Sequence, residues 1–337
     1  MMLPRRRLLT AATAAFGAAL IAPAVQSETR PIANPKRKST SRSGKASLPG
    51  PRLIVGFRGQ DPIDDDVQSI ARDIEAGRVA GVLLLKRNIS SVGQLRRLCD
   101  FLTSAAPHVP PLICIDQEGG AVARATPAAG FAIWSSAAAL GAKFSDEVEA
   151  EIYYRPRAAQ LAAAGITLNF GPVIDLDLNP DNPIIGALGR AYGATPDNVV
   201  PMAEGFIRAH RSARVLTCLR HFPGHGSTHG DTHKGVVDVT GTWAEVELEP
   251  YRRLIAGGLA DSLMNAHIYH PAYSDAQGRP ASLSRRCLNK IRGEMGFDGV
   301  VFTDDMQMGA VSANFTEGDA ANMNFPQSVK HNVTMQF

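Results

Sequence analysis

The stretch V-L-T-C-L-R-H-F-P-G-H-G-S-T-H-G-D-T-H, residues 215–233, passes from an apolar run into a loop holding four histidines, one aspartate and three glycines. An apolar run bounded by Pro and Gly reads as a buried strand, here 215–219, and it delivers the polar cluster to a mouth of the fold. His221, His225, His229 and His233 recur every four residues, a spacing that would line one helix face and invite a metal. Pro223, Gly224, Gly226 and Gly230 interrupt that run, and each disfavours a helix interior, Pro by roughly 3 kcal/mol and Gly by roughly 1. A mobile loop is therefore expected. Within it Asp231 stands two residues before His233, so in extended backbone the carboxylate shares a side with the imidazole, fixes its tautomer and raises its basicity. Such a pair is a general acid/base device. The competing reading is a solvated glycine-rich loop without chemistry.

Working outward, apolar runs of the same kind recur at 53–57, 81–85, 112–116, 167–170, 262–266 and 300–303. Amphipathic stretches at 63–76, 92–103, 147–164, 198–213, 243–256 and 284–294 separate them. Strand and helix patterns in alternation define an α/β fold with parallel strands. Seven repeats of one unit predict a (β/α)8 TIM-type barrel, whose active site lies on the loops after the strands. The polar motifs of this chain fall at those strand ends.

R-H-F-P-G-H-G followed by D-T-H resembles the loop signature of bacterial β-N-acetylglucosaminidases (β-N-acetylhexosaminidases) of glycoside hydrolase family 3, whose pattern is K-H-F-P-G-H-G, four residues, then D-[ST]-H. Other segments agree in order: G-V-L-L-L-K-R-N at 81–88, I-D-Q-E-G-G at 115–120, N-F-G-P-V-I-D at 169–175, N-P-I-I-G and R-A-Y-G within 182–193, and V-V-F-T-D-D-M at 300–306. The resemblance covers roughly 53–315 and implies a catalytic barrel over 52–315. Relatives continue through a helix and a further apolar strand after Gly309-Ala310-Val311, whereas residues 316–337 form an atypical tail of scattered Asn, Gln, His and Lys. A barrel truncated before its eighth βα unit is expected, with two exposed sheet edges.

By the resemblance the nucleophile is Asp304, first acid of T-D-D-M, with Asp305 pointing elsewhere because successive strand residues face opposite sides. The acid/base is His233, oriented by Asp231 and swinging in on its loop after substrate binds. An imidazole serves both steps because it titrates near neutral pH. Asp116 is the carboxylate that grips ring hydroxyls, and Arg124, Arg190, Arg220 and His221 match the family's substrate-binding positions. Arg220 stands where the family usually has Lys and presents a planar fork in place of a compact ammonium. His267 is either a pocket residue or a satisfied core histidine. Glu118 is expected to anchor the glycine turn after it.

Nine of the 35 Lys/Arg but only one of the 32 acids fall in the first fifty residues, leaving 26 bases against 31 acids downstream. The net +3 of the chain therefore belongs to its leader and argues nothing for nucleic-acid binding, so no nucleic-acid partner is expected. Arg5 to Arg7, an Ala/Leu-rich stretch and Ala22-Pro23-Ala24 predict an export signal over 1–27, of possible twin-arginine type, so the protein is expected to be periplasmic or extracellular. Residues 28–51, rich in Pro, Ser, Lys and Arg, read as a disordered linker. The apolar run is too short for a comfortable span, so no stable membrane insertion is expected after export. Cys99, Cys114, Cys218 and Cys287 show no C-x-x-C spacing and read as buried thiols.

The resemblance implies a retaining exo-β-N-acetylhexosaminidase, expected to be monomeric and to need no metal and no cofactor. Its substrate would be a GlcNAc-containing oligosaccharide from cell wall or chitin, cleaved through a covalent glycosyl-enzyme intermediate. Three alternatives compete. A β-glucosidase of the same family lacks the D-T-H loop and carries an extra domain; an inactive sugar-binding remnant would explain the absent eighth unit; a histidine-ligated metalloenzyme would respond to chelators.

Overall fold

Aliphatic runs form the strands and polar, capped segments form the helices of a computed structural model that describes residues 53–276, 278–312 and 332–336. The regions read above as export signal and linker lie outside the described residues, as does most of the tail. In chain order the strands are β1 (Leu53–Gly56), β2 (Gly81–Leu84), β3 (Leu112–Ile115), β4 (Gln117–Gly119), β5 (Val122–Ala123), β6 (Leu168–Asn169), β7 (Leu216–Thr217) and β8 (Leu219–Phe222). After them come β9 (Val237–Asp238), β10 (Ser262–Asn265), β11 (Ile268–Tyr269), β12 (Val300–Thr303) and β13 (Asn332–Gln336). The helices are α1 (Asp65–Glu75), α2 (Val92–Ser104), α3 (Ala137–Gly141), α4 (Glu147–Ala163), α5 (Pro196–Ser212), α6 (Glu249–Ala256), α7 (Arg285–Gly293) and α8 (Gly309–Ser312).

Helix starts follow local chemistry. Ser91, Asp146, Thr195 and Ser284 accept amide hydrogens from the first turns of α2, α4, α5 and α7, each cap contributing about 1 kcal/mol. The stretch from Trp243 starts its α-helix only at Glu249, because residues 245–248 coil as a 3-10 turn first.

Nine strands form one sheet in the order β7-β6-β3-β2-β1-β13-β12-β10-β8. All pairs are parallel except those of β13, so each predicted run carries a strand and the α/β reading holds. The run at 215–219 continues beyond its expected end: it breaks at Cys218 into β7 and β8 and reaches Phe222. Arg220 and His221, expected in a loop, are therefore strand residues.

The strand pleat sorts the core. Val55, Val82, Leu84, Ile113, Ile115, Leu219, Leu263 and Val301 pack with the helices in one cluster, while Ile54, Leu83, Cys114, Leu168, Cys218, Met264 and Phe302 form a second, as a side-chain period of two requires. Phe170, just past β6, meets Phe302 of β12 edge to face at 5.2 Å between ring centroids, although those strands stand far apart in the sheet order. The sheet is thus strongly curled. Further, Val173 makes a bridge with Arg220 of β8, and Ile174 donates its amide to the Arg220 carbonyl at 2.9 Å. All four cysteines are buried free thiols.

The expectation of two open edges is corrected. β13, from the tail read as strandless, lies antiparallel between β1 and β12, with Ile54 opposite Val333 and Phe302 opposite Met335. A β strand needs alternating backbone donors and acceptors more than it needs an apolar sequence, so the polar composition concealed it. Among the described residues no helix is long and apolar enough to cross a membrane.

Candidate active site

The strand ends bring the polar motifs to one place. Asp116 follows β3, Glu118 lies in β4, Arg124 follows β5, Asp175 follows β6, Arg220 and His221 belong to β8, and Asp304 follows β12. A cavity of about 280 Å³ is bordered by Asp116, Arg124, Arg190, Arg220, His221, His233 and Asp304. These are all the predicted site residues but one. The remaining one, Asp231, joins through His233, whose Nδ1 lies 2.8 Å from its carboxylate.

An ionic cluster makes one wall. Arg220 uses its fork on two acids at once, Nη1 donating to Asp116 Oδ1 at 2.7 Å and Nη2 to Glu118 Oε1. Arg190 grips Glu118 bidentately, at 2.8 and 2.7 Å, and Arg124 Nη2 stands 3.5 Å from Asp116 Oδ2. Burial alone would raise the Glu118 pKa, but the guanidinium groups of Arg190 and Arg220 hold it well below the usual carboxylate range. Glu118 is therefore an ionised anchor for two arginines and not merely a brace for the glycine turn, which corrects its expected role. A planar fork suits such bridging, whereas an ammonium is a point charge.

His221 ties this wall to the histidine loop. Arg190 Nη2 approaches His221 Nε2 at 3.3 Å, and a guanidinium can only donate, so the ring proton sits on Nδ1 and goes to Asp175 Oδ2 at 2.7 Å. Asp175 also accepts the amides of His221 and His225. Burial would raise its pKa, but His221 and His225 lower it. Asp175 is not among the expected site residues; it follows Val173 and Ile174, whose backbones meet Arg220 of β8. His225 is a second site residue beyond those expected. It is buried, with Nδ1 2.9 Å from Thr228 Oγ1, and burial pushes its pKa down to about 4, so it is a neutral hydrogen-bonding brace.

The expected mobile loop divides in two. Its inner half is buried and clamped: Asn182 donates to the His225 carbonyl at 2.7 Å and to Thr228 Oγ1 at 2.9 Å, and Glu247 accepts from the Gly226 amide and Ser227 Oγ at 3.0 and 2.6 Å. A side chain at Gly226 would overlap the Leu176 carbonyl, so this glycine serves close packing. Burial pushes Glu247 up to about 7. Only the tip is open, where the His233 side chain is 63% exposed and that of Asp231 19%.

Asp304 borders the same cavity as His233. Its Oδ1 accepts the Asp305 amide at 2.8 Å. Burial alone would raise its pKa, but the imidazoles of His221 and His267, the Arg220 guanidinium and that amide bring it down to about 2, so the carboxylate is ionised at neutral pH. Asp305 also borders the cavity, and its Oδ1 accepts the Gln307 amide at 2.9 Å. His267 is a satisfied core histidine: Nε2 donates to the Asp305 carbonyl at 2.9 Å and Nδ1 accepts from Ser282 Oγ at 2.6 Å. Among the described residues no group of three or more His, Cys, Asp and Glu is placed to hold a metal ion. An ionised carboxylate, an imidazole held by a second carboxylate, and a wall of charge-assisted donors and acceptors thus share one small cavity. That set can hold a polyhydroxylated ligand and carry out acid/base and nucleophilic chemistry on it.

The fold has known counterparts. Residues 54–329 match the glycosyl hydrolase family 3 N terminal domain, and the chain belongs to that family of glycoside hydrolases. It is 34% identical over 278 residues to a β-hexosaminidase of Xanthomonas axonopodis pv. citri (strain 306), covering 80% of this chain and 78% of that one. Among solved structures, it is similar to a glycoside hydrolase family 3 β-N-acetylglucosaminidase from Paenibacillus sp. str. FPU-7, with a TM-score of 0.72 and 35% identity over 80% of this chain; the chain spans 50% of that enzyme's length. A β-N-acetylhexosaminidase from Beutenbergia cavernae DSM 12333 aligns with a TM-score of 0.71 at 30% identity, covering 80% of both chains.

Proposed function

We propose that this protein is a retaining exo-β-N-acetylhexosaminidase releasing terminal GlcNAc from peptidoglycan fragments or chito-oligosaccharides through a covalent glycosyl-enzyme intermediate. The observation that carries the reading is the meeting of Asp304 and His233 at one cavity. The β-hexosaminidase and β-N-acetylglucosaminidase relatives support the substrate class. In the first step an Asp304 oxygen bonds to the anomeric carbon as the C1–O bond breaks, and protonated His233 gives its proton to the leaving oxygen. In the second, His233 takes a proton from water as that water attacks C1 and the Asp304 ester bond breaks. Two inversions restore the starting configuration. The Asp231 carboxylate at Nδ1 leaves Nε2 to carry the working proton, and the exposed loop tip lets the imidazole swing toward the sugar. Asp116 grips ring hydroxyls, and Arg124, Arg190, Arg220 and His221, which border the same cavity, complete the sugar-binding set.

The same reading takes the curled sheet as a (β/α)8-type barrel, with β7–β8 as one kinked fifth strand and β13 in the eighth place. The Phe170–Phe302 contact and the Val173–Arg220 bridge support closure. Export by residues 1–27, a linker over 28–51, a catalytic domain over 52–315, a periplasmic or extracellular site of action, a role in peptidoglycan recycling and a monomeric state complete the proposal. The test is hydrolysis of a chromogenic GlcNAc β-glycoside beside its glucose counterpart, with NMR detection of the first-formed anomer. GlcNAc release as the β-anomer is expected; the α-anomer first, turnover of glucose alone, or turnover of neither overturns the reading.

A further inference from the structure

Behind the ionic wall runs a buried polar chain that the mechanism leaves unused. β3 and β6 pair as far as Ile115 opposite Asn169, and beyond that rung the Asn169 side chain takes over the role of a strand backbone. Its Oδ1 accepts the Gln117 amide at 2.9 Å and its Nδ2 donates to the Gln117 carbonyl at 2.9 Å. Gln117 then repeats the device one step further. Its Oε1 accepts the amides of Arg124 and Ala125 at 2.8 and 2.9 Å, and its Nε2 donates to the Ala125 carbonyl at 3.0 Å. Two side-chain amides in series thereby set the main chain immediately after Asp116 and at Arg124.

A third residue orients the first amide. Asn169 Nδ2 lies 3.1 Å from His210 Nε2, and His210 Nδ1 lies 2.8 Å from the Phe206 carbonyl. An NH2 group only donates and a carbonyl only accepts, so His210 is the neutral Nδ1–H tautomer and its Nε2 is an acceptor. The ring is stacked on Phe206 at 4.0 Å between centroids. Gln117, Asn169 and His210 are fully buried, and none of them borders the cavity.

We infer that Asn169 and Gln117, oriented by His210, are positioning residues that hold Asp116 and Arg124 in register for substrate binding, without touching the substrate. This rests on the reading of the cavity as a sugar site. Asp304 and His233 sit on other elements, so the inference separates binding from chemistry.

Two variants of the full chain test it. Asn169→Asp keeps the shape but loses both donors, and His210→Phe keeps the ring on Phe206 but loses the acceptor. For the chromogenic GlcNAc glycoside we expect KM to rise about tenfold in N169D and about threefold in H210F, with kcat changed less than about threefold in each. Calorimetric affinity for free GlcNAc should fall by the same factors. A folded N169D with wild-type KM and GlcNAc affinity overturns the inference; should N169D fail to fold, unchanged KM in a folded H210F does so. An equal fall in kcat with KM unchanged also overturns it. A wild-type chain that neither binds nor cleaves GlcNAc glycosides overturns the sugar-site reading itself, a result distinguishable from the others.

Discussion

The backbone of His233 is tied to Gly309: the Gly309 amide donates to the His233 carbonyl at 3.0 Å, and next to it the Ala310 amide donates to the Thr232 carbonyl at 3.1 Å. The loop tip that presents the imidazole is thus hooked to the segment that follows Asp304, five residues further along the chain. The two proposed reacting groups share a main-chain brace.

Gly309→Ala tests that brace. A Cβ there would stand 2.5 Å from the His233 carbonyl oxygen, so the loop must shift, at a cost of about 1–3 kcal/mol. kcat should fall at least about tenfold, since a displacement of about 1 Å in a reacting group costs up to about a hundredfold. Steady-state kinetics with a melting curve check this, and full activity in G309A removes the brace from the mechanism.

Asp304→Ala should lower turnover by roughly a thousandfold or more, about 4 kcal/mol in activation free energy, and leave melting within a few degrees. Burst and steady-state assays on an activated GlcNAc glycoside measure it. Near-normal rates contradict a nucleophile at this position.

His233→Ala should cost roughly a hundred- to ten-thousandfold on glycosides with poor leaving groups and much less on activated ones. A leaving-group series gives the answer. A loss that is equal across the series is incompatible with general acid catalysis by this ring.

Acid stability should report on His210. Burial brings its pKa from 6.5 to about 4, a depressed folded value, so its contribution is complete above pH 6.5 and is lost as pH falls from there through about 4. The full effect is roughly 3 kcal/mol, and His225 acts in the same direction. Glu247 opposes them: burial raises it from 4.5 to about 7, so its contribution is complete below 4.5 and is lost as pH rises to about 7. Urea unfolding at pH 7 and pH 5 should show less acid loss in H210F than in wild type, and more in Glu247→Gln. Identical pH slopes in all three proteins count against both assignments.

Removing residues 332–337 should open the β1 and β12 edges that β13 covers. With each net hydrogen bond contributing about 1 kcal/mol, a loss of roughly 3 kcal/mol or more is expected, with edge-driven aggregation. Urea midpoints and light scattering decide it. Unaltered stability would make β13 dispensable.

Strand positions were legible because parallel strands buried on both faces are runs of aliphatic residues between polar helices. The site was legible where a motif closes such a run, as at Asp116 and Asp304. Glu118, Asp175 and His225 were misjudged or missed for one reason. Their roles depend on partners 72, 46 and 50 residues away in the chain, in the bonds Arg190–Glu118, His221–Asp175 and His225–Asp175. Glycine spacing correctly excluded a helix at 221–233 yet suggested mobility. The inner glycines are instead packed against the Leu176 carbonyl and the Glu247 side chain, contacts that local composition does not encode.

Local chemistry in the chain therefore determined the alternation of strands and helices, the caps that start the helices, and the pairing of Asp231 with His233 two residues apart. Those depend on neighbours along the backbone. Tertiary structure alone decided which carboxylates ionise, which histidines stay neutral, that the inner loop is buried while its tip is open, and that a polar tail segment lies between β1 and β12. Each of these is set by burial and by charges brought together from distant positions, and neither quantity exists until the sheet has curled.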